Sequence, residues 1–223
     1  MKKNIILIAA ILIGIGLWWQ SKPSNKQELP VIGVIQAIEH PALDQTRKGI
    51  FDELQAQGFS DKVKIDWRYE SAQGNPSLAT QIAQKFIGQK AKTIVTIGTT
   101  VSQSALQAIQ QSGSGIPLVF ASVTNPVSAK LVASDKKPEK GVCGVSNYVS
   151  ASRQFEYFKK LLPNMKLIGV VYSPGEANSI VLNEEMLKAA ENMDLEIVFA
   201  TANKTSDVSA ATQSLLDKVD AIF

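Results

Sequence analysis

The chain has 223 residues, 45% of them apolar, which is enough for one large domain or two small ones. Its formal net charge is only +3, and no basic run with interleaved aromatic residues occurs, so nucleic acid is excluded as a partner. With one cysteine, Cys143, and one histidine, His40, the chain can form neither an internal disulfide nor a cysteine- or histidine-rich metal site.

The N-terminal residues 1–29 are typical of an exported protein. Lys2 and Lys3 precede fifteen uncharged residues, Ile5 to Trp19, and a polar linker follows. As a helix this run would rise about 22 Å, short of the roughly 30 Å of a bilayer core. Trp18 and Trp19 stand where a small-residue cleavage site is expected, so a cleaved signal peptide and a retained membrane anchor remain alternatives. Both predict a periplasmic or other extracytoplasmic location.

Residues 30–124 predict a first lobe of alternating strands and helices. Continuous apolar runs indicate buried parallel strands, and apolar residues at helical spacing indicate the helices between them. The predicted strands are 31–38, 63–69, 93–97 and 118–121, and the predicted helices cover 42–57 and begin at residues 75 and 98. Short right-handed crossovers would assemble these elements into a doubly wound parallel sheet.

Residues 125–223 are assigned to a second lobe of the same α/β class. Helices are predicted over 151–162, 176–193 and 207–218, and strands over 167–172, 196–200 and from 221 onward. That last strand has three residues before the chain stops, against a usual five or six. We therefore expect an incomplete second lobe, from a fragment or a truncated product.

The stretch Pro117–Val127 is the predicted junction of the two lobes. Its apolar half predicts a buried strand, and Ser122, Thr124 and Asn125 follow where that strand ends. Pro126 then stops the ladder. Because ligands of open α/β sheets bind outside the carboxyl ends of the strands, we expect this stretch to be both a hinge and part of a ligand site.

Other strands also end in small polar residues. Gln36 ends the first strand, Thr99 and Thr100 open a helix after the third, and Asn147, Asn178 and Ser179 occupy comparable places in the second layer. Helix N-termini favour carboxylates and phosphates, which gives Thr99 and Asn178 added weight. Each residue alone is also explained as a helix cap or a turn former.

Catalytic motifs do not occur in the sequence. It holds no G-x-S-x-G, Walker, G-x-G-x-x-G or H-E-x-x-H pattern. We therefore predict a binding protein, not an enzyme, with no cofactor and no metal.

Several segments together resemble the ABC-transporter substrate-binding proteins of the tryptophan/tyrosine-binding type. The likeness covers residues 31–223, and its segments are Ile32–Gln36, Glu39–Asp44, Ile97–Thr99, Phe120–Val127, Gly144–Asn147 and Tyr172–Ser179. The resemblance implies two Rossmann-like lobes with parallel sheets, of the type I periplasmic-binding fold, that close on an amino acid or similar small molecule. It also implies a permease subunit as partner.

Carried over by position, the resemblance implies that Thr99, Thr100, Ser122, Thr124, Asn178 and Ser179 line the cleft, with Gln36 nearby. Asn125 and Asn147 stand where the family usually carries aspartate, so they supply no charge to a ligand ammonium. Family members continue about a third further. The alternatives are a membrane-tethered sensory domain of the same fold and a non-functional fragment.

Overall fold

A computed structural model describes residues 28–137 and 141–223. The expected signal or anchor at residues 5–19 lies outside these ranges. Within them, no helix has the length and apolar character needed to cross a membrane.

The first lobe is a five-stranded parallel sheet with three helices. Its strands are β1 (Val31–Gln36), β2 (Asp66–Ser71), β3 (Thr93–Ile97), β4 (Leu118–Val123) and β5 (Val142–Ser146), in the order β2-β1-β3-β4-β5. The helices are α1 (Pro41–Ala56), α2 (Pro76–Gly88) and α3 (Thr99–Ser112). Strand alternation sends Ile35 and Ile94 to the face that α2 and α3 cover, and Val34 and Val95 to the face of α1.

Gly33 shows why the central strand lies so close to its helix. A Cβ at Gly33 would stand 2.5 Å from the ring of Phe86, the fully buried aromatic residue of α2. The missing side chain therefore lets the aromatic ring pack directly on the sheet backbone.

Strand β2 lies later in the chain than the sequence predicts. The alternating pattern predicts residues 63–69, but the strand begins at Asp66. Residues 60–65 instead form turns in which the amides of Val63 and Lys64 donate to the carbonyl of Ser60. Val63 is 69% exposed, so one apolar position of the pattern has no packing partner that would draw it into the sheet.

The fifth strand changes the expected boundary between the lobes. We expected the second lobe to begin at residue 125, but β5 pairs in parallel with β4 and extends the first sheet to Ser146. The segment that begins at Pro126 turns back on the first lobe, because the amide of Leu131 donates to the Pro126 carbonyl and Leu131 is buried against Phe120. The chain passes to the second sheet after Ser146, so Asn125-Pro126 does not start the crossing as expected.

The second lobe has a smaller parallel sheet. Its strands β6 (Leu167–Tyr172), β7 (Glu196–Thr201) and β8 (Ala221–Ile222) lie in the order β7-β6-β8. Helices α4 (Ala151–Leu161) and α5 (Ala177–Glu191) bury Phe155 and Met186 on one face. Helix α6 (Val208–Leu215), after a short 3₁₀ turn at Thr205–Asp207, packs Leu215 on the other face near Gly169.

Candidate ligand-binding cavity

A cavity of about 500 Å³ lies between the carboxyl ends of the two sheets. Both lobes line it, since Gly98 and Ser122 come from the first sheet and Ser173 and Asn203 follow β6 and β7 of the second. Ligand pockets in proteins have roughly 300–1,000 Å³, so this cavity can hold a small molecule. Six residues expected from the sequence line it: Thr99, Thr100, Ser122, Thr124, Asn147 and Asn178.

Three other expected residues are not among its lining. The amide of Gln36 is fully buried beneath the cavity wall and bonds to protein groups. Asn125 Oδ1 accepts the amide hydrogen of Ser128 at 2.9 Å and so closes a turn. Ser179 lies one residue beyond Asn178 on α5, where its amide donates to the Glu176 carbonyl.

The N-terminus of α3 opens directly on the cavity. Gly98 precedes the helix with φ of 114°, and a Cβ there would stand 2.8 Å from Ala37 Cβ, so glycine is required on both counts. No side chain of the described residues caps this helix end, while Thr99, Thr100 and Val101 line the cavity. Their amides, which have no acceptor within the helix, are free to bind a carboxylate.

Buried hydroxyls support this helix end from below. Ser102 Oγ donates to the Gly98 carbonyl at 2.7 Å and lies 2.8 Å from Thr96 Oγ1. Both side chains are fully buried, so the bonds hold the turn between β3 and α3 in one conformation.

A second uncapped helix N-terminus enters from the other lobe. Glu176 occupies the cap position of α5 without a side-chain bond to the helix amides. Asn178 Oδ1 is buried with no partner among the described residues, so it is available to a ligand donor. Helix α2 differs, because Asn75 Oδ1 accepts from the amides of Ser77 and Leu78 and closes that N-terminus.

Ser122 has a strained backbone at the cavity edge. Its φ is 52°, in the left-handed region, where a non-glycine residue is uncommon. The pairing of β4 with β5 shifts register between Phe120 and Val123, so Ser122 lies in a bulge. Bulges and left-handed residues cluster at binding sites because they redirect a side chain out of the strand alternation.

Sequence reasoning missed several lining residues. The apolar wall consists of Ala37, Ile38, Leu43, Ala72, Pro76 and Val101, and the missed polar residues are Asn75, Ser173, Glu176 and Asn203. Asn203 follows the end of β7 by two residues. The tendency of ligands to bind outside the carboxyl ends of strands therefore also points to Asn203.

Charge within the lining is sparse. Glu176 is the one ionisable residue among the described residues that line the cavity. Behind the wall, burial and the hydrogen bond from Tyr69 Oη to Glu39 raise the pKa of Tyr69 to about 12. A hydrogen bond from Gln36, with further help from Arg47, holds the pKa of Asp44 below its ordinary value.

Another cavity, of about 650 Å³, lies far from the strand ends that form this site. It lies beside Gly113–Leu118, at the amino end of β4, and only residues of the first lobe line it. Since its walls offer few polar side chains, we take the cavity between the lobes as the candidate site.

Comparison with known proteins shows the family of this chain. Residues 31–223 match the model of a family described as ABC transporter substrate binding protein. The chain is 31% identical over 234 positions to a tyrosine-binding protein of Clostridioides difficile, covering 100% of this chain and 67% of that one.

Two solved structures are also similar. A conserved domain protein of Vibrio cholerae is 42% identical with a TM-score of 0.83. The ABC domain of Streptococcus pneumoniae in complex with L-Trp is 32% identical with a TM-score of 0.80. Each likeness covers 87% of this chain and 64% of the other, so the chain spans less than two thirds of their length. These likenesses confirm the expected type I periplasmic-binding fold with two Rossmann-like lobes.

Proposed function

Because the chain belongs to the family of ABC transporter substrate-binding proteins, we propose that it binds a free amino acid with an apolar or aromatic side chain between its lobes. The observation that carries this proposal is the uncapped N-terminus of α3, which opens on a cavity that both lobes line. A ligand carboxylate is the group that such amides and helix dipoles stabilise.

Each part of an amino acid has a counterpart in the lining. The amides of Thr99 and Thr100 would bind the carboxylate, assisted by the hydroxyl of Thr124. The carboxylate of Glu176 and the amide oxygens of Asn147 and Asn178 would accept from the ammonium. Ile38, Leu43, Pro76 and Val101 would pack on the side chain. The tyrosine and L-Trp in the descriptions of two relatives fit this division.

Calorimetric titration of the whole chain with L-tryptophan, L-tyrosine and two analogues of tryptophan tests the proposal. Tryptamine lacks the carboxylate and indole-3-propionate lacks the ammonium. We expect an amino acid to bind, and tryptamine to bind at least about 100-fold more weakly, because the buried helix amides would stay unpaired. If tryptamine binds as well as tryptophan, the N-terminus of α3 does not hold a carboxylate and the proposed orientation is wrong.

Delivery of this ligand to a permease, from an extracytoplasmic location, completes the proposed function. Ligand binding would favour the closed arrangement of the lobes that the permease recognises. The expected partner is tested by capture of a permease from detergent-solubilised membranes with the purified chain, with and without L-tryptophan. If the chain captures the permease equally well with and without a ligand that it binds, the proposed role in delivery is contradicted.

A membrane-tethered sensory domain is the second candidate. The apolar run at residues 5–19 lacks a small-residue cleavage site, which favours retention of this segment. Mass spectrometry of the mature N-terminus decides between the two forms. A chain that still begins at residue 1 or 2 and stays with the membrane supports the tether, and a chain that begins near residue 20 or beyond excludes it.

A further inference from the structure

The buried amide of Gln36 joins three parts of the first lobe. Its Nε2 donates to the Ile38 carbonyl and to Asp44 Oδ1, each at 2.8 Å. Its Oε1 accepts from Arg47 Nε at 3.1 Å. The side chain is fully buried at the carboxyl end of β1, and both ends of its amide are satisfied by these bonds.

The network continues on the far side of Arg47. The guanidinium lies 4.0 Å from the centre of the Tyr69 ring and 3.3 Å from Asp44 Oδ1. Tyr69 Oη in turn donates to Glu39 Oε1 at 2.5 Å. The connection between β1 and α1 is therefore anchored at Ile38 through its carbonyl and at Glu39 through its carboxylate.

The anchored connection forms much of the cavity's apolar wall. Ala37 and Ile38 lie in it, and Leu43 follows in the first turns of α1. Ala37 also contacts the position where Gly98 begins the turn into α3. A shift of this connection would therefore move both the apolar wall and the support of the helix end proposed to bind the ligand carboxylate.

We propose that Gln36 is a positioning residue for the ligand cavity, which acts by fixing the Ile38 carbonyl and the first turns of α1. Its amide is suited to this role because it donates to a carbonyl and a carboxylate while accepting from a guanidinium, which neither Glu nor Leu can do. The role in binding rests on the proposed function, whereas the role in ordering residues 37–46 does not.

Gln36→Glu is the variant that distinguishes positioning from simple packing. It keeps the shape and can still accept from Arg47, but it cannot donate to Ile38 when ionised and places a second carboxylate beside Asp44. Two carboxylates at this separation share a proton, so the defect is greatest at high pH and is relieved when the new carboxyl is protonated. The ionisable groups of the network are Glu39, Asp44, Arg47 and Tyr69, and the nearby His40 caps α1.

Titration with L-tryptophan at about pH 8 and about pH 5.5 measures the effect, since the ligand is a zwitterion at both values. The ratio of the Kd at about pH 8 to the Kd at about pH 5.5 should be roughly tenfold larger for Gln36→Glu than for the wild type. This factor corresponds to one pKa unit of differential interaction. Gln36→Leu should weaken binding equally at both pH values. Adding Asp44→Asn to Gln36→Glu removes the like-charge pair and should abolish the pH dependence.

Gln55→Glu is the matched control, because Gln55 is exposed in the last turn of α1, the helix whose first turns Gln36 contacts. It should bind as the wild type does at both pH values. A Gln36→Glu chain with the wild-type pH profile would overturn the proposal. If the Gln36→Glu single variant does not fold, the double variant with Gln36→Glu and Asp44→Asn is compared with the Asp44→Asn single variant. Equal binding of L-tryptophan by these two variants at both pH values then overturns the proposal.

Hydrogen exchange of the ligand-free chain separates this proposal from the proposed function. We expect residues 37–46 to exchange faster in Gln36→Glu than in the wild type at about pH 8, with no change in the second lobe. If the wild type binds neither tryptophan nor tyrosine but this segment loosens, the proposed function fails and the positioning role stands. Unchanged exchange in this segment overturns the positioning role.

Discussion

Ser122 Oγ lies 3.1 Å from Thr46 Oγ1, and this contact joins the end of β4 to α1 over 76 residues of sequence. Thr46 Oγ1 also bonds to the Ala42 carbonyl one turn earlier in its helix. The contact holds the Ser122 side chain at the point where its backbone departs from the strand. The strained residue of the cavity is therefore supported by the same helix that supplies Leu43 to the apolar wall.

Substitutions of Ser122 should separate stability from binding. Glycine tolerates a φ of 52°, so Ser122→Gly should change the free energy of unfolding by less than about 1 kcal/mol. Ser122→Val places a β-branched residue there and should destabilise by roughly 2 kcal/mol. Both variants should weaken L-tryptophan binding, as measured by calorimetry beside urea denaturation. Equal stability of the two variants would contradict the assigned backbone strain.

Gly98→Ala should destabilise the chain more than Gly113→Ala does. Both glycines have positive φ, but a Cβ at Gly98 meets Ala37, whereas nothing lies within 4 Å of one at Gly113. We expect a loss of about 1 kcal/mol at Gly113 and roughly 2–3 kcal/mol at Gly98, measured by urea denaturation. Ala37→Gly in the Gly98→Ala background should recover the part that is due to contact. No recovery would mean that the backbone conformation alone requires glycine.

Glu176→Gln should weaken the binding of L-tryptophan roughly tenfold, because the charge partner of the ammonium is lost. Indole-3-propionate, which has no ammonium, should bind this variant at least as well as it binds the wild type. Glu191→Gln, at the other end of α5, is the matched control and should leave both affinities unchanged. An equal loss for both ligands would point to a disturbed cavity instead of a lost charge.

Alkaline titration should reveal Tyr69 as a tyrosine that resists ionisation. Its pKa is raised to about 12 by burial and by the hydrogen bond to Glu39, whereas the unfolded chain ionises near 10. The resulting stability is therefore present below about pH 10 and lost as the pH rises toward 12. Absorbance titration of Tyr69→Phe should remove the highest-pH transition, and Tyr157→Phe, at an exposed position, should retain it.

Asp220 should link stability to acid pH. Its Oδ2 accepts from the amides of Lys166 and Leu167 at 2.7 and 2.9 Å, which lowers its pKa below the ordinary value. This contribution is present above the pKa of the unfolded chain and is lost as the pH falls through the lower folded value. Urea midpoints between about pH 7 and pH 3 should fall less steeply for Asp220→Asn than for the wild type or for the exposed-site control Asp135→Asn.

Much of the fold follows from local patterns. Apolar runs such as that of β1 and helical spacing such as that of α2 depend on neighbours a few residues away, so the sequence reveals them directly. The uncapped N-terminus of α3 is different, because threonine is also a common helix cap and only the structure shows that no side chain caps this end. Six of the nine residues expected from the sequence line one cavity, because the carboxyl ends of parallel strands meet at the same edge of a sheet.

Sequence by itself thus determined the alternation of strands and helices, their parallel layers and the polar character of the strand ends. Only the tertiary structure decided that β5 joins the first sheet, that Ser122 turns left-handed in a bulge, and that Gln36 lies buried against Asp44 and Arg47. The physical reason is that periodicity is a local property. Strand order, backbone strain and the partners of a buried amide are set by contacts between residues far apart in the chain.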